Sequence, residues 1–157
     1  MATSVNYSGR KVDILIFQGA QPAGMVPVTL GFGEAGFLTT GIQKVAQTFA
    51  VFFLNDKGSV PAQPDYGTSF MQQFRQGYLQ DESSVKSAFA FASDSAVRAM
   101  RAQAAAADLP ADETIKSARL LGYSLDKATG NLQLRVQLTS EAGATRTVFL
   151  PVPVTIK

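Results

Sequence analysis

A chain of 157 residues in which 46% are apolar and 17% charged can bury one domain-sized core. Its formal net charge is +2, no run of lysines and arginines occurs, and both cysteine and histidine are absent. These facts exclude disulfides, thiolate and imidazole catalysis and the usual zinc sites, and they leave no basic stripe for a nucleic acid. The charged fraction lies below the quarter common in soluble domains. Surface hidden against partners accounts for that, and so does a surface rich in alanine and glycine.

The first ten residues are polar and contain no apolar core of leader-peptide length. Residues 12–17 read VDILIF, a β-branched and aromatic strand. Gly19, Pro22 and Gly24 make a loop of residues 18–25. Residues 26–30 can return as a second strand, which Pro27 restricts to an edge or a strand start. After a glycine-rich turn at 31–36, Thr39 or Thr40 is expected to cap a helix. Ile42, Val45, Ala46, Phe49, Phe52 and Phe53 form its apolar stripe. The run of residues 49–54 is the most apolar in the chain and far too short to span a bilayer.

Asn55-Asp56-Lys57-Gly58 ends that helix, with Gly58 expected as a left-handed cap. A proline-containing loop follows, and Asp65 is expected to cap a short helix bearing Phe70, Met71 and Phe74, with Gly77 near its end. Residues 82–107 predict a longer helix whose stripe is Val85, Phe89, Ala92, Ala96 and Met100. Leu109-Pro110 stops it. Three strands are expected beyond, at 115–125, 132–138 and 145–156. Leu132, Leu134, Val136 and Leu138 alternate with Gln133, Arg135 and Gln137, the pattern of a half-buried antiparallel strand. Turns fall at Thr129-Gly130-Asn131 and Glu141-Ala142-Gly143.

The resulting fold class is α+β: an N-terminal strand pair, three helices, then a C-terminal antiparallel meander with the helices packed on one face. In the last strand Pro151 and Pro153 stand two apart, so their missing donors fall on one edge. Val148, Leu150, Val152, Val154 and Ile156 point to the face opposite the prolines. This is either a protected edge strand or an apolar arm laid on another subunit.

Little in the chain suggests chemistry. Gly31-Phe32-Gly33-Glu34-Ala35-Gly36 matches the G-x-G-x-x-G dinucleotide fingerprint, with Asp56 further on. Pro27 interrupts the strand before it, however, and no second apolar strand follows the helix, so a glycine-rich turn is the better reading. Glu34, Asp65, Glu82, Asp112 and Glu113 are the carboxylates available for glycoside hydrolysis, and nothing marks a pair among them. Hydroxyls such as Ser93 and Ser95 lack a histidine, which leaves only a Ser-Lys arrangement open. Phe49, Phe52, Phe53, Phe70 and Phe74 lie at helical spacing and read as core before partner face.

The stretch Gly41-Ile42-Gln43-Lys44-Val45-Ala46-Gln47, then Leu54-Asn55-Asp56-Lys57-Gly58-Ser59-Val60-Pro61, then Pro64-Asp65-Tyr66-Gly67-Thr68, carries a resemblance. It resembles the contractile-tailed phage baseplate wedge family whose short member initiates the tail sheath. Some members of that family have been called lysozyme-like. The order of elements agrees from about residue 39 to residue 149. The resemblance implies an N-terminal extension at 1–36 and a wedge-like α+β domain at 37–157. It also implies a structural role without catalysis or cofactor, located in the virion tail baseplate and assembled in the host cytoplasm. Implied partners are the tail sheath protein, other wedge subunits and tube or hub proteins, with no nucleic acid and no membrane. Family members dock on the wedge through a Glu-Pro-Arg signature. Here the matching residues are Asp112, Glu113, Thr114 and Ile115, without the Pro-Arg pair.

Sheath subunits of that family join by strand exchange. The resemblance therefore makes Leu132, Leu134, Val136, Leu138, Val148, Leu150, Val152 and Val154 the expected platform, with the proline-bearing edge closed and the opposite edge available. Another structural adaptor of a contractile injection machine, or a carboxylate-dependent glycoside hydrolase, is the alternative.

Overall fold

The computed structural model describes residues 13–14, 38–126 and 131–152. Among these the chain runs β1 (Asp13–Ile14), β2 (Leu38–Thr39), α1 (Gly41–Leu54), α2 (Phe70–Arg75), α3 (Glu82–Ala106), β3 (Ile115–Asp126), β4 (Asn131–Ser140) and β5 (Thr145–Val152). The three helices and the antiparallel β3-β4-β5 sheet agree with the α+β expectation. β1 pairs antiparallel with β2. The strand expected at 26–30, the glycine-rich turn at 31–36 and the turn at 129–130 lie outside the described residues, as do Pro153 and Val154.

The helices cover one face of the sheet. Phe49, Phe52 and Phe53 of α1 are fully buried with Phe70 of α2 and Phe89 of α3. Phe53 is the hub, with ring centroids 5.5 Å from Phe49, 4.9 Å from Phe70 and 5.3 Å from Phe89. Rings at such spacings gain edge and offset contacts beyond the area they bury. Leu132, Leu134, Val136 and Leu138 of β4 and Leu150 and Val152 of β5 complete the core from the sheet.

The helix ends differ from expectation. Neither threonine caps α1: Thr40 makes no side-chain cap bond, and the Thr39 hydroxyl is buried without a partner. Glu113, 72 residues away, accepts from the Gly41 N–H instead, at 3.4 Å. Asp65 does not cap α2. It is exposed and faces Lys57 at 3.4 Å, while the Thr68 hydroxyl accepts from the Phe70 N–H at 3.3 Å. Gly58 has a left-handed φ of +82° but belongs to the turn closed by the Ser59 N–H on the Asp56 carbonyl. α1 itself ends on an extended Asn55.

α3 opens with a capping box. The Asp81 carboxylate accepts from the Ser84 N–H at 2.7 Å, and the Ser84 hydroxyl is 3.2 Å from the Asp81 N–H. The Ser84 N–H holds the Asp81 carboxyl below the usual aspartate range. Stability from this box is therefore complete above the unfolded aspartate pKa and is lost as pH falls through the lower folded value. Asp81→Asn, which keeps an acceptor without the charge, should remove that acid-side contribution in urea midpoints measured against pH.

α3 ends at its C-cap Ala107, the Leu109 N–H donates to the Ala104 carbonyl at 3.0 Å, and the left-handed position just past the cap is filled by Asp108 at φ +50° rather than by a glycine. A side chain in the left-handed region costs about 1–2 kcal/mol relative to glycine. Asp108→Gly should accordingly raise stability by about 1 kcal/mol, read as a higher urea midpoint at unchanged slope.

Candidate functional site

Where the sheet ends matters most for what this chain can do. β4 is central, paired to β3 on one side and to β5 on the other. Two bonds fix which amides face which way. The Ser140 N–H donates to the Ala144 carbonyl, toward β5, and the Glu141 N–H donates to the Thr114 carbonyl, toward β3. Backbone donors alternate edges along a strand. In β4 the even-numbered amides therefore face β5 and the odd-numbered ones face β3.

Carried across the β4–β5 register, Val148, Leu150 and Val152 direct their amides to β4. Thr147, Phe149 and Pro151 then face outward. Proline has no N–H, so the outer margin of β5 lacks a donor at Pro151. Carried across to β3, Ser117, Arg119, Gly122 and Ser124 face β4, while Ala118, Leu120, Tyr123 and Leu125 face outward. A register shift between Leu120 and Gly122 keeps this alternation favourable on both sides of Leu121. Among the described residues no strand pairs with that outer margin of β3.

α3 runs alongside it. Phe89, Ala90, Ser93 and Val97 of the helix and residues 116–123 of β3 line one groove. Glu82 and Lys86 form an ion pair in its wall, as do Asp94 and Arg98 at 2.7 Å beside it. An extended segment laid against β3 would place alternate side chains over Ala90 and Val97 and the rest in solvent.

The residues named from the sequence fall in several places. The side chains of Leu132, Leu134, Val136, Leu138, Leu150 and Val152 point into the core, and Val148 is half-buried against it. Since β4 has both edges taken, its contribution to a partner is to position β3 and β5. Val154 lies outside the described residues. Asp112, Glu113, Thr114 and Ile115 form the approach to β3. Ile115 is core, the Thr114 hydroxyl donates to the Pro110 carbonyl at 3.1 Å, and Asp112 stands against Gly41. The Glu113 side chain is 1% exposed and meets the Lys44 ammonium at 2.9 Å. From the sequence the β3 margin was expected only as an available edge opposite the prolines, without residues assigned, Phe89 was named only as part of the α3 core stripe, and Ala90 and Val97 were not singled out.

Among the described residues the carboxylates named from the sequence do not come together as a pair across a cleft. Glu34 is outside the described residues. Asp65 pairs with Lys57, Glu82 with Lys86, and Asp112 and Glu113 together flank the start of α1. Ser83-Ser84-Val85-Lys86 has S-x-x-K spacing, but Glu82 holds the Lys86 ammonium above the ordinary lysine pKa, the wrong direction for a base. Among the described residues no group of three or more acidic side chains is placed to hold a metal, and no helix is long and apolar enough to cross a membrane.

No family model and no curated protein matches the chain. Among solved structures, the crystal structure of a “putative tail lysozyme” from Geobacter sulfurreducens matches 78% of this chain and 99% of its own. The identity is 14% and the TM-score 0.45.

Proposed function

We propose that this protein is a structural subunit of a contractile phage tail baseplate that offers the outer edge of β3 as a template for strand addition by the tail sheath. The observation that carries this reading is the unpaired β3 margin, with outward amides at Ala118, Leu120, Tyr123 and Leu125, set beside an open groove. A strand added there gains main-chain hydrogen bonds along a whole edge, and Ala90 and Val97 give its alternate side chains an apolar seat. The motif from Asn55 to Thr68 supports the family reading from the sequence side, and the wedge subunits and tube or hub proteins are its further partners. The role needs no active site and no cofactor.

The test is amide exchange on the full chain, alone and with the tail sheath protein. Exchange should slow at Ala118, Leu120, Tyr123 and Leu125. Protection confined to Thr147 and Phe149, or none at either margin, would overturn the reading. A wall-degradation activity abolished by Glu82→Gln or Asp65→Asn would replace it with hydrolysis.

A further inference from the structure

The charges of the helical layer and of the sheet are handled differently. Lys44, Lys57, Arg75, Lys86, Arg98 and Arg101 each have a carboxylate partner, namely Glu113, Asp65, Asp56, Glu82, Asp94 and Glu141. Among the described residues the cations of the strands, Lys116, Arg119, Arg135 and Arg146, are in no ion pair. Two of these lie together on the sheet face that no helix covers. Arg119 stands opposite Gln137 and Arg135 opposite Gly122, with Gln137 two positions from Arg135 along β4, so the two arginines are diagonal neighbours on one face.

The rest of that face suits recognition. Phe149 is exposed and stands directly across from Arg135. Arg135 reaches over Gly122, its Nη2 3.9 Å from where a Cβ would be. Leu121 is exposed at the register shift beside them. The surrounding positions Ser117, Ser124, Gln133, Gln137, Thr139 and Thr147 are uncharged, and the carboxylate of this face, Asp126, stands at the far end of β3, four residues beyond Gly122. Arginine and aromatic side chains with a polar surround are what protein interfaces concentrate at their centres.

We propose that this uncovered sheet face docks an acidic protein surface, with Arg119 and Arg135 receiving carboxylates and Phe149 as the apolar anchor. Charge decides the class of partner. Two guanidinium forks select carboxylates bidentately, and among the described residues no carboxylate is in an ion pair with either. A nucleic acid needs a longer basic track and more than one stacking ring, and among the described residues Phe149 is the ring of this face. Arg119 and Gly122 also line the groove beside the β3 margin, but this contact uses side chains of the open face, whereas the margin uses backbone groups in the plane of the sheet.

The experiment titrates the isotope-labelled full chain with poly-L-glutamate at low salt, following backbone amides and arginine Nε–H signals, with oligothymidylate in parallel. Shifts centred on Arg119, Gly122, Arg135 and Phe149 are expected. Binding should weaken about tenfold or more in Arg119→Gln/Arg135→Gln while the remaining spectrum, and hence the fold, is unchanged. Equal binding by that variant, shifts confined to Lys116, Ala90 and Val97, or no binding would overturn the proposal. Tighter binding of oligothymidylate than of poly-L-glutamate would overturn it in favour of a nucleic acid. The sheath experiment reads amides at the β3 margin, so the two proposals fail separately.

Discussion

Gly67→Ala should destabilise the protein by about 4 kcal/mol and lower its melting temperature on the order of 10 °C. Gly67 sits at φ +98°, and a Cβ built on it would lie 2.6 Å from the Asn55 carbonyl oxygen and 2.8 Å from the Asp56 carbonyl carbon and oxygen. These are backbone atoms, which cannot rotate aside. Relief requires separating the two segments that meet there. The Thr68 N–H donates to the Asn55 carbonyl at 2.8 Å and the Lys57 N–H to the Thr68 carbonyl at 3.0 Å, forming a short parallel bridge. The buried Thr68 hydroxyl donates to the Phe53 carbonyl at 2.8 Å, at the end of α1. One methyl group would thus strain the left-handed residue and disturb three hydrogen bonds. Gly143→Ala is the control: its φ is +84°, but nothing lies within 4 Å of the added carbon. It should lose only the conformational part, about 1 kcal/mol. Equal losses in the two variants would refute the steric argument.

Glu113→Ala should cost about 3 kcal/mol, toward the lower end for breaking a buried ion pair because Lys44 is 16% exposed and can reach water. The same change removes the acceptor of the Gly41 N–H at the start of α1. The double variant Lys44→Met/Glu113→Leu should recover most of that loss, since apolar side chains of similar volume replace a desolvated pair at little net cost. Chemical denaturation of the wild type, both single variants and the double variant closes the cycle. A double variant as unstable as Glu113→Ala would mean that the carboxylate acts on α1 alone and the lysine is incidental.

Both predictions concern residues whose role sequence reading placed elsewhere or left open, and the reason is the same. Elements with a strong period were legible. The α1 stripe from Val45 to Phe53, the α3 stripe from Val85 to Met100 and the Leu132–Leu138 alternation each declare a face, because burial repeats at 3.6 or 2 residues. Caps were less so. Asp81 with Ser84 is local and was open to reading as a helix start. Glu113 reaches Gly41 across most of the chain, and no spacing rule reports that. The Tyr66-Gly67-Thr68 motif was visible as a motif, but its function, joining the end of α1 to the start of α2, depends on a clash that only coordinates reveal.

The candidate site was half legible. Pro151 announced a margin with a donor missing. The complementary margin was expected but not located, because strand order is a tertiary fact. The residues first named for it, from Leu132 to Leu138, point inward on the central strand. Their strong alternation marked burial, and the weaker pattern of β3, with its register shift and mixed exposure, belonged to the strand left open.

The missing donor at Pro151 has a consequence for architecture. A layer with an accepting border on one side and a defective one on the other has a built-in direction. On the proposed role, partners would be added outward from β3 and disfavoured at the Pro151 end of β5, so an assembly started here would grow in one direction.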